Sequence, residues 1–302
     1  MLKLPVHGTI TALVTPMNHD GSIDSASLKK LIDLQIEGGI DAIVPCGSTG
    51  ESATMTIDEK CSVIQTTVEY AAGRIPVIAG TGSNDTAAAI SLTKKAKELG
   101  VDGVLLVSPF YNKPTQRGMI AHFTAIADAC DIPQILYNVP GRTASNMHAE
   151  TQLALAESHD HIIATKEASA DLEQIMEIIR HRPSHFSVLA GDDSLALPII
   201  ASGGHGVISV LSNYAPKQFG NCIKAALEGR WEEARTAHYA LFELMKLNFI
   251  ETNPIPVKGI LSMMGICQEA YRLPMQPLLP ENKERLHVAL QKAGLVKKMA
   301  LD

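Results

Sequence analysis

Eight short apolar runs rich in β-branched residues recur along this chain, separated by stretches with helical periodicity. The runs lie at residues 9–14, 42–45, 76–79, 103–107, 134–137, 162–165, 187–190 and 207–210. Between them, residues 27–37 put Leu28, Leu31, Ile32 and Ile36 on one helical face, and residues 86–99 do the same with Ile90, Leu92 and Ala96. The repeating unit is therefore βα. Runs that are apolar throughout, without polar alternation, predict strands buried on both faces, which is what a parallel sheet covered by helices requires. Eight such units in about 210 residues predict a closed (β/α)8 TIM barrel of the α/β class rather than an open doubly wound sheet. No Gly-x-Gly-x-x-Gly fingerprint follows the first run.

After the eighth run the strand signal stops. Residues 217–228, 231–249, 257–264 and 281–293 read as amphipathic helices, the last with Leu286, Val288, Ala289 and Leu290 as its apolar set. This predicts a barrel domain over residues 1–229 and a helical C-terminal domain over 230–302. The Asn253-Pro254-Ile255-Pro256 segment reads as an interhelical loop.

Composition narrows the function classes. A formal charge of −6 with interspersed signs, and no basic run, argues against nucleic acid as a partner. No stretch approaches the roughly 18 apolar residues of a membrane span, and the N-terminus lacks a signal-peptide core, so a cytoplasmic protein is expected. Five scattered cysteines, Cys46, Cys61, Cys130, Cys222 and Cys267, form no CxxC pair and read as free thiols.

In a barrel of this kind the active site lies at the carboxyl ends of the strands, and polar residues crowd there. They are Thr15 after the first run, Gly47-Ser48-Thr49-Gly50-Glu51 after the second, Gly80-Thr81-Gly82 after the third and Tyr111 after the fourth. Tyr137, Asn138 and Arg142 follow at the fifth, Lys166-Glu167 at the sixth and Gly191-Asp192-Asp193 at the seventh. Lys166 ends a run of apolar residues, and desolvation or a neighbouring cation would lower its pKa as a Schiff-base nucleophile requires. A solvated lysine opening a loop is the plain alternative, and Lys258, also in apolar sequence but in the helical part far from the strand ends, is a rival. Tyr111 and Tyr137 read singly as packing; together with Thr49 and Lys166 they read as linked hydroxyls able to move protons. The residue 47–51 loop offers hydroxyls and amides to a carboxylate, and Arg142 could hold a second one bidentately, or only a surface ion pair. His181 and His185 are four apart, but Pro183 between them argues against a helical zinc pair. Asp192 and Asp193 read as hydrogen-bonding residues at a strand end, and Gly203-Gly204-His205-Gly206 as a tight turn, so no metal site is expected.

These motifs, with Ile78-Ala79-Gly80-Thr81-Gly82, Pro109-Phe110-Tyr111-Asn112, Tyr137-Asn138-Val139-Pro140-Gly141-Arg142-Thr143, Lys166-Glu167-Ala168 and Asn253-Pro254-Ile255-Pro256-Val257-Lys258, resemble the dihydrodipicolinate synthase (4-hydroxy-tetrahydrodipicolinate synthase) family of class I pyruvate-dependent aldolases across nearly the whole chain. The resemblance implies condensation of pyruvate with L-aspartate 4-semialdehyde, the first committed step toward diaminopimelate and lysine. It implies Lys166 as the Schiff-base residue, Tyr137 as proton shuttle, Thr49 as the link from Tyr137 to Tyr111, and Tyr111 as a residue supplied across a tight dimer. Arg142 would receive the semialdehyde carboxylate, Ser48 and Thr49 the pyruvate carboxylate, and the backbone carbonyls of Gly191 and Ile208 would line the surroundings of the lysine. No cofactor or metal is implied, because the protonated imine is itself the electron sink. The implied assembly is a homo-oligomer built on a tight dimer, either alone or paired again as a dimer of dimers.

N-acetylneuraminate lyases and 2-keto-3-deoxygluconate aldolases share the lysine, the second tyrosine and the carboxylate loop. Ser48 fits either group, whereas Arg142 suits an aldehyde carrying a carboxylate. A non-catalytic barrel that binds small molecules would be expected to have lost one of Lys166, Tyr137, Thr49 or Tyr111, and all four are present. Lysine-inhibited relatives bind the end product through two histidines, a glutamate and a tyrosine at positions that resemble Ile57, Lys60, Ala88 and Phe110 here, while Ser52, Ala53 and Asn84 match. This departure predicts catalysis insensitive to L-lysine.

Overall fold

The computed structural model describes residues 5–296. Eight parallel strands, β1 (Gly8–Ala12), β2 (Ala42–Val44), β3 (Ile78–Gly80), β4 (Gly103–Val107), β5 (Gln134–Asn138), β6 (Ile162–Glu167), β7 (Ser187–Ala190) and β8 (Gly206–Ser209), form one sheet in the order β2-β1-β8-β7-β6-β5-β4-β3. The two ends of that order meet. Ile43 bridges Val77 in parallel, the Ile43 amide donates to the Pro76 carbonyl at 3.0 Å, and the Gly80 amide donates to the Pro45 carbonyl at 2.9 Å. The sheet thus closes on itself as a (β/α)8 barrel with no free edge.

Side-chain alternation divides the apolar residues between two cores. Ile10, Ala12, Val44, Ile78, Leu105, Ile135, Leu189 and Ile208 fill the barrel interior. Their strand neighbours, among them Ile43, Ala79, Leu106, Leu136, Val188 and Val207, face the helical wall together with Leu28, Ile64, Phe123 and Phe219. Both faces of each strand are covered, which is why the runs in sequence are apolar throughout. Wall helices start where a side chain satisfies an otherwise orphaned backbone amide. Asp24 accepts from the Ser27 amide, Thr56 and Glu59 form a reciprocal capping box, and Asp171 accepts from the Gln174 amide.

Several element ends differ from the sequence expectation. β1 ends at Ala12 and β3 starts at Ile78, because the flanking Leu13, Val14 and Val77, though apolar, are buried outside a regular ladder. β6 runs two residues beyond its apolar run, so Lys166 and Glu167 are part of the strand. The expected loop at residues 253–256 is half helix: Ile255–Met263 is helical from Ile255 onward, with Pro256 in its first turn, where a missing amide is tolerated. Among the described residues three helices, Trp231–Leu247, Ile255–Met263 and Pro280–Lys292, follow the last wall helix, Pro216–Leu227. Among the described residues, no helix is long and apolar enough to cross a membrane.

Candidate active site

A parity shift in β6 decides which side chain faces the barrel axis. Gln134 of β5 pairs with Ile162, but Ile135 pairs with Ala164, so the ladder bypasses Ile163. Skipping one residue moves every later side chain of β6 to the opposite face. Tyr137, in the barrel interior, is therefore paired with Lys166 and not with Thr165. Thr165 points outward and donates to Gln152 Oε1 at 2.7 Å. The Lys166 amine comes to lie 4.4 Å from the centroid of the Tyr137 ring.

Behind this pair, a buried carboxylate anchors both strand ends. Glu167 accepts from Asn138 Nδ2 at 3.0 and 3.1 Å, from Gln152 Nε2 at 2.9 Å, from Gln174 Nε2 at 3.1 Å and from the Ser169 amide at 2.9 Å. Asn138 in turn accepts from the Met147 amide at 2.9 Å. A buried carboxylate so fully supplied with donors is a rigid bracket for Tyr137 and Lys166, which precede Asn138 and Glu167 in their strands.

In front of the pair opens a cavity of about 630 Å³. Ser48, Thr49, Tyr137, Arg142, Lys166, Gly191 and Asp192 line its barrel side, and residues 249–253 line the opposite wall. Burial holds Lys166 well below the usual lysine range, at about 8, with Arg142 acting in the same direction and the carboxylates of Asp192 and Asp193 opposing. Burial pushes the Tyr137 phenol up to about 12, while Arg142 and a hydrogen bond with Ser48 pull it back. The Asp192 carboxyl is raised by burial, against the pull of Lys166 and Arg142. Asp193 faces away and accepts from the amides of Val210 and Leu211 at 3.2 and 2.8 Å, which ties the seventh strand end to the eighth. A buried, partly deprotonated amine beside a protonated phenol and a guanidinium can form and protonate an imine to a keto acid.

Six of the eight sequence candidates line the cavity: Ser48, Thr49, Tyr137, Arg142, Lys166 and Gly191. Ile208 lies in the interior apolar layer, and Val210 takes its place in the cavity wall. Tyr111 lies outside the cavity wall of this chain, 89% exposed, in a left-handed conformation with φ of +71°. The Thr49 hydroxyl accepts from Asn253 Nδ2 at 3.0 Å, and the Asn253 carbonyl accepts from Arg142 Nη2 at 3.2 Å. Asn253, expected in an interhelical loop, and Asp192, expected only as a hydrogen-bonding residue at a strand end, both line the cavity wall. The signal for Asn253 was a polar residue placed before two prolines in an apolar stretch.

The fold corrects the expectation that Lys258 lies far from the strand ends. Although remote in sequence, it reaches the loop after β2, where its amine meets Glu51 Oε1 at 2.5 Å with both side chains buried. It does not line the cavity. His181 ends its helix and pairs with Glu177, while His185 lies beyond Pro183 against the Ala156 carbonyl. All five cysteines are free. A second cavity, about 430 Å³, brings together Ser52, Ala53, Ile57, Lys60, Ala88 and Phe110; Asn84 donates nearby to the Phe110 carbonyl at 3.1 Å.

A family model described as the dihydrodipicolinate synthetase family matches residues 5–293. The chain is 50% identical over 295 residues to the 4-hydroxy-tetrahydrodipicolinate synthase of Koribacter versatilis, covering 97% of this chain and 98% of that one. The crystal structure of dihydrodipicolinate synthase from Aquifex aeolicus superposes with a TM-score of 0.94 at 47% identity, covering 97% of this chain and 100% of the other. The enzyme from Acinetobacter baumannii, crystallised with pyruvate, superposes with a TM-score of 0.94 at 42% identity over 96% of this chain and 99% of its own. Sequence, fold and the strand-end constellation agree, and the chain belongs to the dihydrodipicolinate synthetase family.

Proposed function

We propose that this chain is a Schiff-base-forming lyase that condenses pyruvate with L-aspartate 4-semialdehyde to give 4-hydroxy-tetrahydrodipicolinate, in the route to diaminopimelate and lysine. The observation that carries the reading is Lys166, a buried amine held at about 8 beside Tyr137 in an open cavity. The amine adds to the keto carbon of pyruvate, water leaves, and the protonated imine acidifies the methyl group. Loss of a methyl proton gives the enamine, whose carbon attacks the aldehyde. Attack by the amino group of the condensed chain then closes the ring and releases Lys166.

Tyr137, kept protonated by its raised pKa, is the group that hands a proton to the carbinolamine oxygen and receives it again. Ser48 and Thr49 receive the pyruvate carboxylate, with the Gly191 and Ile208 carbonyls bordering the lysine. Arg142, at the cavity wall, receives the carboxylate of the semialdehyde. A sugar-acid aldolase would present a hydroxylated tail to that position and has less use for a guanidinium. Tyr111 completes the proton relay through Thr49 from the neighbouring subunit of a tight dimer. Its outward placement, largely exposed, leaves it available to a neighbouring chain and supports that reading. The reading includes a dimer of dimers, a cytoplasmic location in keeping with five free thiols, a barrel domain over 1–229 and a helical unit over 230–302, of which residues 1–4 and 297–302 lie outside the described residues.

Borohydride reduction with pyruvate, followed by peptide mass mapping, tests the assignment. The expected adduct is on Lys166, and Lys166→Arg abolishes both adduct and turnover. An adduct on another lysine would overturn it. Arg142→Ala is expected to cost on the order of 2–4 kcal/mol in kcat/KM for the semialdehyde, the loss of a charge-assisted bidentate contact. Equal use of an uncharged aldehyde by the parent enzyme would instead favour a sugar-acid aldolase.

A further inference from the structure

Among the described residues two lysines are buried, and the proposed chemistry uses only Lys166. The other, Lys258, projects from helix Ile255–Met263 with its amine 2.5 Å from Glu51 Oε1 and 5.1 Å from the centroid of the Tyr271 ring. The Tyr271 hydroxyl donates to the Ile255 carbonyl at 2.8 Å and pins the start of that helix. Glu51 ends the loop after β2 in the left-handed region, φ +56°, where a side chain is disfavoured unless its surroundings impose it. Inside the loop, the Gly50 and Glu51 amides donate back to the Gly47 and Ser48 carbonyls, each at 3.1 Å. The loop is thus one tight unit carrying Ser48 and Thr49, held at one end by Asn253 on the Thr49 hydroxyl and at the other by Lys258 on Glu51.

Stability alone does not account for such a pair. Burying two charges costs their hydration, and an apolar pair of the same volume is commonly as stable or more so. The second oxygen, Glu51 Oε2, is moreover buried without a hydrogen-bond partner. What an ion pair supplies and an apolar pair does not is direction, because it fixes where the Glu51 carboxylate lies and with it the twist of the loop.

We propose that Lys258 is a positioning residue that acts through Glu51 to hold the residue 47–51 loop in the form that receives the keto-acid carboxylate. The inference rests on the pyruvate reading above. Lys258 touches no reacting atom; it sets the pyruvate KM from the C-terminal helices.

The test compares the parent enzyme with Glu51→Met/Lys258→Met, which replaces the ion pair by two apolar side chains of similar volume and leaves no buried charge or amide without a partner. Melting temperature, pyruvate KM, semialdehyde KM, kcat and the borohydride-trapped imine are measured for each. The expected double variant melts at or above the parent temperature, raises the pyruvate KM about tenfold or more, leaves the semialdehyde KM within twofold, and still traps the Lys166 imine at saturating pyruvate. A folded double variant with an unchanged pyruvate KM overturns the proposal and leaves the pair a structural contact. Should the double variant fail to fold, Glu51→Met decides, since a buried Lys258 without its partner can shed its proton and stay neutral; the same rise in KM supports the proposal and an unchanged KM overturns it. Failure of the parent enzyme to trap any imine would count against the pyruvate reading itself, a different outcome from either.

Discussion

Lys166 draws its reactivity from opposed influences that can be separated by mutation. Burial and Arg142 lower its pKa to about 8, while Asp192 and Asp193 resist that fall. Only the neutral amine adds to a ketone, so about a tenth is reactive at one unit below the pKa and nearly all above it. The kcat/KM for pyruvate is therefore expected to rise with pH up to about 8 and then level. Removing the Asp192 charge removes a group that favours the ammonium form, so Asp192→Asn is expected to shift the rising limb to lower pH. A pH–rate profile, supported by imine-trapping rates, checks this. A limb that stays in place or moves to higher pH would show that Asp192 does not act on the amine.

At the scale of elements, the site depends on how closely the loop after β2 rests on β3. A methyl group on Gly80 would lie 2.4 Å from the Cys46 carbonyl oxygen and 2.8 Å from the Gly47 amide, both backbone atoms that cannot swing aside. Gly80→Ala is thus expected to destabilise the fold by about 1–3 kcal/mol and to raise the pyruvate KM by displacing Ser48 and Thr49. Urea unfolding together with initial rates measures both, and a variant with parental stability and KM would show that the loop yields freely. The bypass of Ile163 acts at the same scale. It turns Lys166 inward and Thr165 outward, and nothing in the pattern of residues 162–167 announces it.

At the scale of the whole molecule, two expectations concern sites that one chain leaves open. Mixing inactive Tyr111→Phe with inactive Lys166→Ala is expected to restore part of the activity, because a hybrid dimer holds one complete site. Subunit exchange without any return of activity would place Tyr111 outside the reaction. In the second cavity, Ala88 offers no carboxylate, Phe110 no hydroxyl, and Lys60 adds a cation. A ligand carrying two ammonium groups meets like charge and a missing partner there, each worth about 1–3 kcal/mol at a partly desolvated site. Initial rates with L-lysine titrated into the millimolar range are expected to stay flat; half-maximal inhibition below about 1 mM would contradict this.

The barrel was legible in sequence because burial on both faces leaves continuous apolar runs, and eight of these at helix-spaced intervals admit few other closures. The polar residues at the strand ends were legible for the same reason, since their order along the chain follows the order of the strands. What lay beyond the sequence depends on contacts between distant segments. The strand bulge that aims Lys166, the reach of Asn253 to Thr49 and the pairing of Lys258 with Glu51 across 207 positions each join residues that local periodicity treats as unrelated. Local pattern specifies which face of an element is apolar, whereas the direction of a single charged side chain is decided by the partner that packing brings to it.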